Sequence, residues 1–165
     1  MNLAGAMALP ASPAAVRAVL RDPERLVDAL PHVDAMGADV DRDGSFRVVI
    51  RPAIALGEIP VRTRWRPVAG AGGPQAIAYA IEGRTDEHWL ALDAELTLRP
   101  AAEDDEGGEG GTVAEWTVAL RTTGTIRSAG QRVLGAVVRA QVGLVLGAVG
   151  GLAQAADDAP AVAGT

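Results

Sequence analysis

A chain of 165 residues, 48% hydrophobic and 22% charged, has the length and composition of one folded domain and lies outside the weakly hydrophobic, highly charged range of disordered chains. The absence of cysteine removes disulfides, thiolate metal sites and cysteine nucleophiles, and a net charge of −6 argues against a nucleic-acid partner, whose phosphates are bound by clustered cations. Every basic residue is arginine, which together with abundant alanine and glycine reads as the codon bias of a GC-rich bacterial genome.

The chain opens with Asn2 to Leu9, where larger apolar residues alternate with small ones up to Pro10, the pattern of a first strand. It has neither the basic start nor the long apolar run of a secretory signal, so a cytoplasmic protein is expected. Ser12-Pro13 then supplies a capping hydroxyl and a first-turn proline, predicting a short helix to Arg21 with Val16, Val19 and Leu20 on one face. Asp22-Pro23 repeats the signal for a second helix through Leu26 and Leu30, stopped by Pro31.

From Met36 the period changes to two, with Asp41-Arg42-Asp43-Gly44 as a hairpin turn before Phe46, Val48 and Ile50. Ile59, Val61, Thr63 and Trp65 alternate with Arg62, Arg64 and Arg66, so the sheet has one apolar and one wet face. Gln75 to Glu82 and His88 to Leu98 give two more strands, the acidic, glycine-rich run 103–111 a solvated loop, and Thr112 to Arg121 a last strand. A long helix is predicted from Thr125 to Ala155, with residues 156–165 as a disordered tail beyond a single domain of residues 1–155.

The order is therefore β-α-α-β6-α. A twisted antiparallel sheet must cover its apolar face, and the only long element available is the last helix. Where helix and sheet do not fill the space between them, an apolar cleft remains, the kind of place where small ligands bind.

The Leu3-Ala4-Gly5 strand, Pro10-Ala11-Ser12-Pro13 before one helix, Asp22-Pro23-Glu24 before the next, and the exit from Leu30-Pro31 to Met36 resemble the SRPBCC superfamily of START-like helix-grip proteins. Within it the chain is most similar to the CoxG family of carbon monoxide dehydrogenase subunits. Two departures stand out: Val16 and Val19 lie where the family has a bulky aromatic, and Pro31-His32-Val33 replaces the usual Pro-Gly-Cys exit. The resemblance implies an α+β helix-grip (START/Bet v 1-like) fold, a curved antiparallel sheet wrapped around a long C-terminal helix. It also implies a non-enzymatic accessory role, in which a molybdenum hydroxylase-type enzyme such as carbon monoxide dehydrogenase is brought to the inner face of the cell membrane or to a lipophilic electron acceptor such as a quinone.

On that reading the ligand-binding candidates are Phe46, Trp65, Tyr79, His88, Leu90 and Trp116 on the sheet, with Leu134, Val137 and Val138 on the helix. No covalently bound cofactor is expected, and the occupant is a quinone- or lipid-like molecule. From Ala140 to Ala156 the helix has no charge and is apolar on all sides, so burial on every side is expected. Glycine costs about 0.8–1 kcal/mol in a helix relative to alanine, and Gly143, Gly147 and Gly151 form a row that admits close approach of a backbone, a lipid or a ligand. Val142, Gly143, Leu146, Gly147, Val149 and Gly150 are accordingly the candidates for peripheral membrane or partner contact.

Arg62, Arg64 and Arg66, with Arg51, form a basic stripe suited to anionic head groups or an acidic partner, or simply a solvated strand face. His32 and His88 are the only histidines, and no third ligand joins them, so no metal site is expected. Two alternatives stay open: a small cyclase or hydrolase acting on a polyketide-like substrate through His88 or Tyr79, and a docking module without ligand.

Overall fold

The computed structural model describes residues 1–33, 38–54, 57–58, 60–103, 110–123 and 131–159. Strand β1 (Asn2–Leu9) leads into helix α1 (Pro13–Arg21), where the Ser12 hydroxyl accepts from the Ala15 N–H at 3.2 Å. Helix α2 (Pro23–Ala29) is capped by the Asp22 carboxylate, which accepts from the Glu24 and Arg25 N–H groups. The two cap-then-proline signals thus act as the sequence predicts.

Strands β2 (Asp39–Val40), β3 (Phe46–Ile50), the small hairpin β4 (Ala53–Ile54) and β5 (Gly57–Glu58), then β6 (Val61–Val68), β7 (Ile77–Arg84), β8 (Trp89–Pro100) and β9 (Thr112–Thr122) follow. Seven of them form one antiparallel sheet in the order β1-β9-β8-β7-β6-β3-β2, while β4 and β5 pair only with each other. The first strand therefore closes on the last, and six strands of the main sheet lie between α2 and the final helix, as the reading β-α-α-β6-α requires. Of the predicted segments, Ile59, most of the acidic loop and residues 124–130 lie outside the described residues.

The α2 exit holds one departure from ordinary geometry. His32 has φ 57°, in the left-handed region, and its carbonyl accepts from the Arg51 N–H while Val33 bridges to Ile50. A side chain there costs about 1–2 kcal/mol that glycine does not incur, partly offset by glycine's greater freedom in the unfolded chain. His32→Gly is therefore expected to raise stability by about 0.5–1 kcal/mol, measured as a higher urea midpoint with an unchanged slope.

Helix α3 (Gln131–Asp158) runs three residues past the predicted end, so 156–158 belong to the helix and not to a tail. Its end is fastened: the Asp157 carboxylate accepts from the Ser12 N–H at 2.8 Å and the Ser12 hydroxyl at 3.1 Å. The helix packs chiefly on α1, α2 and β1. One glycine makes that approach close, because a Cβ on Gly150 would stand 3.2 Å from Pro10 Cδ and 3.3 Å from Leu9 Cδ2, whereas one on Gly135 would make ordinary contact with Met1 Sδ at 3.5 Å.

The expectation of burial on every side is corrected here. Leu146, Val149 and Ala153 are buried, yet Ala136, Ala140, Leu144, Gly147, Ala148 and Gly151 face solvent. The strip is uncharged, but it is built mostly of alanine and glycine, so little apolar area meets water; Leu144, 50% exposed, is its large side chain, with Val133, 55% exposed, on the same face nearer the start of the helix. Gly143 and Gly151, two of the three glycines in the predicted close-approach row, look onto open space, and Gly147 meets only the Met7 methyl at 3.9 Å. The close approach is carried by Gly150 instead.

Candidate functional site

The inner face of the sheet follows from the alternation of each strand. Phe46, Val48 and Ile50 on β3, Val61, Thr63 and Trp65 on β6, Ile77, Tyr79 and Ile81 on β7, and Trp116, Val118 and Leu120 on β9 point to one side, and Arg62, Arg64, Glu82 and Arg84 to the other. Because α3 lies over the β1 edge and on α1 and α2, it stands off from the middle strands. A cavity of about 570 Å³ fills the gap, bounded by α1, α2, β6, β7, β8, β9 and the inner side of α3. That volume lies within the usual range of ligand sites.

Two glycines deepen the walls. Trp116 lays the Cζ2, Cε2 and Nε1 edge of its indole against Gly5 of β1, where a Cβ would come within 2.6 Å of Cζ2. Leu90 lies likewise over Gly83, its register partner on β7. Both large side chains sink toward the sheet, leaving room above them.

Eight of the nine ligand-binding candidates line the cavity: Trp65, Tyr79, His88, Leu90, Trp116, Leu134, Val137 and Val138. Phe46 does not, which corrects the sequence reading. It is fully buried one layer behind the wall, stacked on Trp65 with centroids 5.4 Å apart and planes 15° apart, and edge-on to Tyr79 at 6.4 Å. Alternation gives the correct face but not which side chain on it stands in front.

The membrane or partner set divides. Val142 and Leu146 form part of the cavity wall, and Val149 and Gly150 are buried. Only Gly143 and Gly147 remain toward the outer side, so Val142, Leu146, Val149 and Gly150 are corrected to inward positions. The apolar residues of the helix are divided between cavity and core because the helix has one face to cover, not four.

Several wall residues escape the sequence reading. Leu20, Leu26 and Leu30 close the cavity from α1 and α2, and Gln141 and Val145 from α3. Trp89 is excluded by alternation with Leu90, yet it too lines the mouth, because it begins β8 straight after the tight turn in which the Thr85 hydroxyl accepts from the Glu87 and His88 N–H groups. The signal is present in the Thr-Asp-Glu-His turn, where a period of two does not yet hold.

Polar groups inside are already engaged. The Thr63 hydroxyl donates to the Val48 carbonyl at 2.9 Å and accepts from the Trp65 indole N–H at 2.9 Å. The Tyr79 hydroxyl donates to the Leu20 carbonyl at 2.7 Å, and burial pushes its pKa above the ordinary phenol value. Tyr79→Phe leaves the Leu20 carbonyl without that donor and is expected to cost about 1–2 kcal/mol, read from chemical denaturation.

The wet face matches the predicted arginine alternation, but its charges are partly matched: Arg62 meets Asp86 at 3.4 Å and Arg66 meets Glu82 at 3.7 Å, all exposed. A second, shallower hollow of about 640 Å³ lies on this outer side between β1 and residues 68–71. Its carboxylates are occupied, Glu95 by the Ala71 and Gly72 N–H groups and Asp93 by Arg121. Among the described residues no three His, Asp or Glu side chains converge as a metal site.

Known proteins share this arrangement. A family model described as that of a carbon monoxide dehydrogenase subunit, CoxG, matches residues 5–146. A conserved protein from Geobacillus kaustophilus superposes with a TM-score of 0.77 at 15% identity, covering 94% of this chain and 97% of the other. A START superfamily protein from Mycobacterium smegmatis gives 0.66 at 12% identity, covering 93% and 97%. The Zhui aromatase/cyclase of a Streptomyces species gives 0.65 at 16% identity, covering 100% and 99%. At these identities the structures establish the fold, an α+β helix grip, and among curated proteins no match is found.

Proposed function

The chain belongs to the CoxG family of carbon monoxide dehydrogenase subunits, and we propose that it is a non-enzymatic accessory protein that carries a quinone- or lipid-like molecule in its cavity. The observation that supports this reading most is the apolar hollow of about 570 Å³ between α3 and the sheet, walled by Trp65, Leu90, Trp116 and Val138. The family name points to a molybdenum-containing carbon monoxide dehydrogenase or related hydroxylase as the partner. In that role the protein sits in the cytoplasm and meets the inner face of the membrane peripherally.

A cyclase needs a side chain free to move a proton onto or off the substrate. Tyr79, the one buried phenol in the wall, holds its proton on the Leu20 carbonyl, and this favours carrying over catalysis. Native mass spectrometry and solvent extraction of gently purified protein test the reading; recovery of a stoichiometric apolar molecule supports it, and a consistently empty protein that takes up none counts against it.

We assign membrane contact to the uncharged outer strip of α3, where Leu144 stands half out. Leu144→Glu is expected to leave the fold and the cavity intact while reducing flotation with vesicles several-fold, roughly the loss of one exposed leucine's transfer energy of about 1–2 kcal/mol. Unchanged flotation would remove this face from the account.

A further inference from the structure

The cavity is polarised from end to end, and its ligand can be narrowed from that alone. Helix α3 runs beside β1, Gly135 next to Met1 and Leu3, Gly150 next to Leu9 and Pro10. Because Leu3 pairs with Val118 and Leu9 with Thr112, the first half of α3 lies at the Leu120 end of β9, where Thr122 faces Leu90. This end holds the polar wall side chains Thr85, His88 and Thr122, whereas Gln141 lies farther along, near the level of Gly5 and Trp116, two residues beyond Arg139, whose guanidinium donates to the Ala4 carbonyl.

Away from this end the described wall offers a guest few polar partners: Gln141 carries its one side-chain amide, and the Glu95 carboxylate is held by the Ala71 and Gly72 N–H groups. Thr63 and Trp65 bond one another and the Val48 carbonyl, Tyr79 is committed to Leu20, and Trp116 turns its N–H edge onto Gly5. A polar group carried past Trp65 would lose its water for at most one partner, the Gln141 amide, and where it misses that partner affinity falls roughly fivefold to a hundredfold by typical magnitudes. At the mouth the same group keeps water or finds Thr85, His88 or Thr122. The carboxylates there, Asp86 and Glu87, with Glu87 Oε2 3.8 Å from His88 Nε2, disfavour a second anion.

We infer that the cavity takes an amphiphile with a long apolar chain and a single uncharged hydrogen-bonding head, inserted chain first, its head held at the Thr85, His88 and Thr122 end. The inference rests on the cavity being a ligand site and adds the ligand's polarity and direction. It assigns to Trp65 and Trp116 contact with the buried chain, and to Trp89, at the mouth, contact with the head.

Dodecanol and the dodecane diol with a hydroxyl at each end are the first probes, used with the unmodified protein. The mono-alcohol is expected to bind at least about tenfold tighter, since the diol must bury its second hydroxyl among apolar side chains with Thr63 and Tyr79 already engaged. Direction is read by fluorescence quenching with dodecanol brominated either on the terminal carbon or beside the hydroxyl. Terminal bromine should quench a Trp89→Phe variant, which keeps the interior indoles, and bromine beside the hydroxyl should quench a Trp65→Phe/Trp116→Phe variant, which keeps Trp89. Equal affinity for the diol, or the reverse quenching pattern, overturns the direction while leaving the cavity a ligand site. Failure of every probe to bind overturns the ligand-site reading itself, and the direction with it.

Discussion

Phe46→Ala is expected to destabilise the protein by roughly 3–5 kcal/mol, the range for removing a fully buried phenylalanine, and so to remove a third or more of the stability of an ordinary domain. Phe46 is 0% exposed, in register with Trp65 on β6 and edge-on to Tyr79 on β7. Its loss leaves a void behind the aromatic wall that neighbouring strands cannot close without breaking register. Trp65→Ala makes the informative contrast. Trp65 borders the existing cavity, so its removal extends a hollow already present and should cost less while enlarging the site. Urea denaturation of the two variants separates them; an equal or larger loss in Trp65→Ala would mean that Phe46 is not the supporting layer.

The second large effect is on binding with the fold kept. Ala94 lies on the inner face of β8, between Tyr79 of β7 and Val118 of β9, and lines the cavity floor. In Ala94→Trp the new indole projects into the hollow, so stability should hold or rise by about 0.5–2 kcal/mol as cavity-filling changes do. It occupies the volume the ligand needs, and affinity for an uncharged probe such as dodecanol should fall by about a hundredfold or more, on the order of 3 kcal/mol. A variant that binds the probe as well as the parent would place the ligand elsewhere. The paired outcome, intact thermal unfolding with lost binding, distinguishes filling the site from breaking the fold.

The local elements are legible because local chemistry writes them. Ser12-Pro13 and Asp22-Pro23 cap their helices, Asp41 to Gly44 turns the hairpin, and period two fixes which side of each strand is apolar. Where two periodicities meet, legibility fails: Trp89, one residue out of a turn, falls by alternation on the wrong side, and the helix end at Asp158 is set by Asp157 bonding Ser12, a partner 145 positions away.

Element order, the apolar face of the sheet and eight of the nine proposed wall residues can be read along the chain, since each depends on neighbours within a few positions. Three features come from the packing of distant segments: Phe46 stands behind Trp65, Leu146 and Val149 turn inward while Leu144 turns out, and α3 comes closest to β1 at Gly150 and not at the row 143, 147 and 151. A helix that is apolar on every side carries no periodic mark of which side its neighbours occupy. Depth and contact are therefore settled only when those segments meet, and it is their meeting that leaves the hollow unfilled.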